Sequence, residues 1–104
     1  MIFFNNAMNK GIINGKKVVL ALGHCVMTAG VAGLLSRAEV AGLLVAQATG
    51  DWGATCAEDA AMNDEAVRTG EDRVVSVHET RVGKVFVITE WDRSVTTVLL
   101  PSEY

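Results

Sequence analysis

Cysteine is scarce in this chain. Cys25 and Cys56 are its two cysteines, they lie far apart, and they form no C-x-x-C pair. A small secreted domain held by disulfides would carry more of them at regular spacing. Two buried thiols in a reducing compartment are therefore expected, with a single Cys25–Cys56 bridge as the alternative. Positive charge is also scarce. Nine Lys and Arg stand against twelve Asp and Glu in 104 residues, a net charge of −3, so the molecule has no basic footprint for nucleic acid. A long uninterrupted apolar run is missing as well. Val18 to Leu35 carries no charge and follows Lys16 and Lys17, as an anchor or signal peptide would. Gly23, His24, Thr28, Gly30 and Gly33 break it, however, and a spanning helix needs about 20 strongly apolar residues. Ser36-Arg37-Ala38-Glu39 reads as a helix start and not as a cleavage site. With no linker, repeat or low-complexity tract, the chain is expected to be one soluble, cytoplasmic domain over residues 1–104, with no membrane partner.

Half of the residues are hydrophobic and a fifth are charged, the composition of a packed domain. Met1 to Gly15 mixes Phe3 and Phe4 with Asn5, Asn6, Asn9 and Asn14, and is expected to be an irregular or short-strand lead-in ending in an Asn14-Gly15 turn. Lys17 to Leu22 is short, apolar and rich in β-branched residues, with Gly23 after it, which predicts a buried strand. Cys25 to Leu35 is expected to be a short, glycine-weakened helix. Ser36 and Glu39 form a capping-box pattern, followed by Val40, Leu43, Leu44 and Ala48 at helical spacing. Gln47 is expected at the edge of that stripe, and Gly50 is the stop. Thr55 and Glu58 suggest a second capping box, for a helix reaching Thr69 with Gly70 beyond it. Its expected inner stripe is Cys56, Ala60 and Val67, with Asp64 paired to Arg68. Val74–Thr80, Lys84–Trp91 and Ser94–Leu100 predict three strands joined by short turns, and Pro101 ends the sheet. The expected fold class is α+β: two or three helices packed on a small antiparallel sheet with a C-terminal three-stranded meander.

Chemistry-bearing patterns are sparse. Gly23, Gly30 and Gly33 lack the G-x-G-x-x-G or Walker spacing of a phosphate loop, and there is no G-x-S-x-G elbow. His24, Cys25, Cys56 and His78 lack the paired spacing of a zinc site, so no metal and no cofactor is expected. His78 and Glu79 fall on opposite faces of a strand and cannot bond each other; His78 shares its face with Ser76 and Thr80. Arg73, Arg81, Lys84 and Arg93 make a modest basic cluster in the sheet half. Against it, Asp51 to Asp72 holds seven acidic residues and one arginine. Such a stretch suits a solvated helix face, or a surface that engages a basic site on another protein. Trp52, flanked by glycine, and Trp91, beside Asp92 and Arg93, are either plugs for a small core or anchors of an interaction surface.

Gly50-Asp51-Trp52-Gly53 and the stretch from Ile88-Thr89-Glu90-Trp91-Asp92-Arg93-Ser94-Val95 through Thr96-Thr97-Val98-Leu99-Leu100-Pro101 resemble a group of small proteins encoded on plasmids and other mobile elements of bacteria. The likeness takes in Glu58-Asp59, Asn63, Ala66, Gly70 and Glu103-Tyr104, and covers the chain from about Ile12. Met1 to Gly11 looks like a private extension, and Gly23 to Leu35 is richer in glycine than the group suggests. The resemblance implies a cytoplasmic accessory protein and carries over no catalytic residue. The expectation is a non-catalytic interaction protein with a protein partner, of a kind that blunts a host defence system by binding it. Its contact positions are expected at Asp51, Trp52, Asp59, Asn63, Trp91, Asp92 and Arg93. The rival is a small ribonuclease-like toxin that would use His78, Arg81, Lys84 and Thr89.

Overall fold

The computed structural model describes residues 2–4, 11–13 and 15–104. The predicted meander is present. Strands β5 (Val74–Thr80), β6 (Gly83–Thr89) and β7 (Val95–Leu99) pair antiparallel in sequence order, with Val77 opposite Phe86 and Phe86 opposite Leu99. β7 then runs parallel to β4 (His24–Met27), and β4 pairs antiparallel with β1 (Ile2–Phe4). The result is a five-stranded sheet in the order β1-β4-β7-β6-β5, mixed rather than purely antiparallel. Ile2–Phe4 is thus a short strand at the edge of the main sheet. Asn5, Asn6, Asn9 and Asn14 lie outside the described residues. A separate two-stranded ribbon joins β2 (Ile12–Ile13) to β3 (Lys16–Lys17).

The strand expected over Lys17–Leu22 is displaced to His24–Met27. Between Lys17 and His24 the chain has no strand pairing, because its first backbone donors are used elsewhere. Val18 N–H donates to the Gly11 carbonyl at 2.8 Å, and Val19 and Leu20 N–H both donate to the Ala48 carbonyl. Leu20 and Leu22 still enter the core, so the apolar pattern reports burial correctly and strand geometry wrongly. Gly23 opens the next strand rather than closing this one. It sits at φ +65°, and a Cβ there would lie 2.3 Å from the Arg93 carbonyl oxygen and 2.4 Å from that of Ser94. This close approach lets His24 N–H reach the Ser94 carbonyl at 2.9 Å and start the parallel ladder.

Cys25–Leu35 is consequently split between β4 and a short helix, α1 (Ala29–Leu34), which is capped by the Thr28 hydroxyl accepting from Val31 N–H. Helix α2 (Arg37–Ala48) begins with the predicted capping box: Glu39 N–H donates to Ser36 Oγ at 3.1 Å and Ser36 N–H to Glu39 Oε1 at 2.9 Å. Val40, Leu44 and Ala48 are buried and Leu43 is half-buried. Gln47 is fully buried among them and does not mark an edge. Helix α3 (Ala57–Thr69) ends on Gly70 in the left-handed conformation, as expected. Its start differs. Cys56, not Thr55, is the N-cap, and its thiol, a weak acceptor, makes no capping bond; the Thr55 hydroxyl faces the sheet. The buried residues of α3 are Asn63 and Ala66, whereas Cys56 is exposed and Ala60 and Val67 are half-buried. Arg68 pairs with Glu65 rather than Asp64.

Alternation along β5, β6 and β7 gives the sheet two faces. Val74, Val85, Val87 and Val98 lie on the inner face and join Val31, Val40, Leu44 and Ala48 of α1 and α2 in the core. Helix α3 lies along β5, the last strand of the sheet. Beyond β7, Pro101 starts a single 3₁₀ turn. There Glu103 Oε1 accepts from Leu100 N–H and from the Thr28 hydroxyl, fastening the end of the chain to the start of α1.

Gly23→Ala should destabilise the fold by at least about 2 kcal/mol, since left-handed backbone costs a residue with a Cβ roughly 1–2 kcal/mol and the blocking atoms here are backbone. Thermal unfolding should show a midpoint lowered by about 8 °C or more. An unchanged midpoint would mean that the Gly23 turn does not seat β4 against β7.

Candidate functional site

Two polar arrangements lie on opposite faces of the sheet. On the inner face a continuous row of hydrogen bonds runs under α2. Thr96 Oγ1 donates to the Leu22 carbonyl at 2.8 Å, and Thr89 Oγ1 lies 2.7 Å from Thr96 Oγ1. Gln47 Nε2 reaches Thr89 Oγ1 at 3.1 Å and the Val74 carbonyl at 3.3 Å. Ser76 Oγ donates to Gln47 Oε1 at 2.6 Å and lies 3.0 Å from His78 Nε2.

The direction of every proton in this row follows from its carbonyls, which can only accept. Leu22 takes the Thr96 proton, so Thr89 must donate to Thr96 and accept from Gln47. Val74 likewise orients the Gln47 amide, which leaves Oε1 to accept from Ser76. Ser76 has then spent its one proton, and His78 must donate to it through Nε2–H. Gln47, Ser76, Thr89 and Thr96 have no exposed surface and His78 has 6%. Among the described residues no buried side-chain nitrogen or oxygen lacks a partner.

His78 is further enclosed by the connection between α2 and α3. Gly53, at φ +59°, lies so close to the imidazole that a Cβ there would be 2.4 Å from Nδ1. Burial lowers the His78 pKa below its ordinary 6.5, and the nearby Asp51 carboxylate acts in the opposite direction. His78 and Glu79 do point to opposite faces, with Glu79 exposed. The residues of the ribonuclease reading are not assembled. Thr89 belongs to the buried row. Arg81 is bonded to both oxygens of Glu39, at 2.8 and 2.9 Å, and to the Leu34 carbonyl. That pairing holds the Glu39 carboxyl down to about 2.

On the outer face, α3 and β5 enclose an open groove of about 700 Å³. Val75 and Val77 of β5 and Phe86 of β6 form its apolar floor, and Asp59, Met62, Asn63 and Ala66 of α3 form one wall. Tyr104 closes the far side, edge-on to Phe86 with ring centres 5.4 Å apart, and its hydroxyl accepts from Arg73 at 2.8 Å. The backbone of β5 is sealed along this wall. Asn63 Nδ2 donates to the Val75 carbonyl at 2.8 Å, and Asn63 Oδ1 accepts from Val75 N–H at 3.3 Å, as a neighbouring peptide group would. Val77 N–H donates to Thr55 Oγ1 at 2.8 Å, and the Val77 carbonyl accepts from Ala54 N–H at 2.7 Å. The Thr55 hydroxyl is thus used on the sheet and on the Trp52 carbonyl, and Cys56 takes the N-cap position of α3.

The expected contact positions divide into two kinds. Trp52 is buried, with Nε1 donating to Asp64 Oδ1 at 2.8 Å, and Asn63 is buried against β5. Arg93 spreads its guanidinium over backbone carbonyls: Nη2 reaches Ala66 at 2.9 Å and Glu71 at 3.5 Å, and Nη1 reaches Trp91 at 3.2 Å and Asp72. Arg93 thus ties the β6–β7 turn to the end of α3, where a cation meets the free carbonyls favourably. Asp51, Asp59, Trp91 and Asp92 are exposed, Trp91 by 67%. Asp59 and Asn63 line the groove, and Arg93 bonds Ala66 and Asp72, two further lining residues, so the Trp91 turn is anchored at that end.

Sequence reasoning missed Met62, Val75, Val77, Phe86 and Tyr104. The available signal was a meander apolar on both faces, which leaves one face for something other than the main core. Cys25 is buried, with its thiol pushed up to about 11 by burial, whereas Cys56 is exposed; both are free. Among the described residues no group of three His, Cys, Asp or Glu is placed to hold a metal ion, and no helix is long and apolar enough to cross a membrane. No protein-family model, curated protein or solved structure matches the chain.

Gln47→Leu should cost about 2–4 kcal/mol in chemical denaturation, since each buried group stripped of its partner costs about 1–3 kcal/mol. A loss under about 0.5 kcal/mol would show that the row is replaced by other partners. The His78 shift has a defined sign. Its folded pKa is below the unfolded value of 6.5, so the unfolded chain takes up the proton first and stability falls as pH drops below about 6.5. Urea midpoints measured between about pH 7.5 and 5.5 should show this slope in the native protein and a flatter one in His78→Gln. Equal slopes would remove His78 as the source.

Proposed function

We propose that this protein is a non-catalytic protein-interaction module, a cytoplasmic accessory of the plasmid-borne kind that its motifs resemble, which acts by occupying a protein partner. Blunting a host defence system by binding it is the role that such an accessory would serve. The observation that carries the reading is the groove on the outer face: an apolar floor of Val75, Val77 and Phe86 left open beside Met62 and Tyr104, which are 65% and 59% exposed. Open apolar surface of this kind, rimmed by polar residues, is characteristic of interaction sites. Trp91 adds a large exposed aromatic at the end of the groove that Arg93 fastens. In this reading Asp51, Asp59, Trp91 and Asp92 meet the partner, while Trp52, Asn63 and Arg93 hold the surface in shape.

The ribonuclease reading has no comparable support. A general acid–base histidine must reach its substrate, whereas His78 lies under Gly53 and donates to Ser76. Thr89 has no exposed surface and Arg81 is engaged by Glu39.

The test is affinity capture from bacterial host lysate with wild type, Met62→Asp and Trp91→Ala. Both substitutions fall on exposed side chains and should leave the circular dichroism spectrum unchanged and the unfolding free energy within about 0.5 kcal/mol of wild type. A partner held by wild type should be lost at least about tenfold from each variant, as expected for residues central to an interface. Retention of the same partner by both variants would place the contact surface elsewhere. Growth arrest on expression, with RNA cleavage abolished by His78→Ala, would replace this reading by the enzymatic one.

A further inference from the structure

The groove has three properties that specify the chemistry of its occupant. The first is its floor, which is apolar and formed by side chains that alternate away from the main core. The second is charge. Asp59, Glu65 and Asp72 line the groove with one lining cation, Arg73, which donates to the Tyr104 hydroxyl and keeps its charge, while the Arg93 guanidinium is spread over the Ala66 and Asp72 carbonyls at one end. The two ion pairs among the described residues are Arg68–Glu65 and Arg81–Glu39, so Asp59 and Asp72 carry no salt-bridge partner there. The third is the closed backbone of β5. Asn63, Thr55 and Ala54 take up both peptide groups that Val75 and Val77 turn outward. A strand cannot add to the sheet at these positions, so an occupant must be held by side chains.

We propose that the groove accepts a basic segment of another protein: one apolar side chain seated on Val75, Val77 and Phe86, with flanking Lys or Arg reaching Asp59 and Asp72. The proposal rests on the interaction-module reading and adds the class of partner. A volume of about 700 Å³ is within the range of pockets that enclose a drug-sized ligand, and is enough for an anchoring side chain and its neighbours. The carboxylates steer a cationic segment inward and disfavour an acidic one. Their exposure means that salt weakens the attraction, because the Debye length falls to a few ångströms as ionic strength rises.

The experiment is an amide chemical-shift titration of the full chain with three short synthetic peptides: leucine flanked by lysine and arginine, the same peptide with glutamate for every cation, and the basic peptide with glycine for leucine. The basic leucine peptide should move the amides of Asp59, Met62, Val75 and Val77, and its affinity should fall several-fold between about 0.05 and 0.3 M salt. The double variant Asp59→Asn, Asp72→Asn should weaken it about tenfold or more while the rest of the spectrum is kept. Asn suits position 72 because Asp72 has φ 63° and Asn tolerates the left-handed region. The proposal is overturned if the glutamate or glycine peptide binds equally well, if the basic peptide moves amides only elsewhere, or if no peptide moves the groove. Glutamate-peptide binding in the groove would remove the basic class alone and leave the interaction module standing. A silent groove, together with partner capture unchanged in Met62→Asp, would remove both.

Discussion

The buried amide of Gln47 is the contact on which the inner half of the molecule depends. One side chain from α2 binds the Val74 carbonyl and Ser76 of β5 and Thr89 of β6, joining the helix layer to two strands. Apolar packing would allow α2 to slide or rotate over the sheet with little change in buried area, because the hydrophobic effect is non-directional. The amide does not allow this, because a shift of one residue would leave several fully buried polar groups without partners. The row continues through Thr96 to the Leu22 carbonyl. It therefore also fixes the segment before β4, whose parallel pairing with β7 is the long-range step in this topology.

The outer half is organised by the closure of β5. An unpaired strand edge invites association, and this one is covered by a short set of local groups rather than by another strand. Asn63 stands in for a peptide unit, while Thr55 and Ala54 complete the cover. The same contacts hold α3 out along the sheet edge, so the apolar residues Val75, Val77 and Phe86 remain open in a groove. Closing the edge and opening the groove are two consequences of one arrangement. Arg93 secures the far end, with its guanidinium shared among carbonyls from α3, the following turn and its own turn.

The separation between the two faces bears on function. The hydroxyls of Ser76, Thr89 and Thr96, the Gln47 amide and the His78 imidazole sit on the inner face, where each is hydrogen-bonded to another member of the row. The outer face has few polar groups in its floor and offers shape, apolar area and negative charge. That combination is what the proposed interaction with another protein would draw on.

Local features were legible in the sequence, and distant ones were not. The Ser36–Glu39 box, the Gly70 stop, the two hairpins of the meander and the opposite facing of His78 and Glu79 all depend on residues within a few positions of one another, so spacing determined them. So did the burial of Leu20 and Leu22, though not their conformation. The tertiary structure decided the fate of polar residues whose partners are remote. Gln47 meets Thr89 across 42 positions and Thr96 meets Leu22 across 74; no periodicity distinguishes a buried glutamine with such partners from one at a helix edge. The Thr55 hydroxyl meets Val77 rather than capping α3, and Gly23 began a strand because Arg93 and Ser94 came against it. Periodicity in the sequence determined which segments must be buried. Three-dimensional packing decided which polar groups could follow them, because a buried hydrogen bond is favourable only where the fold supplies its second half.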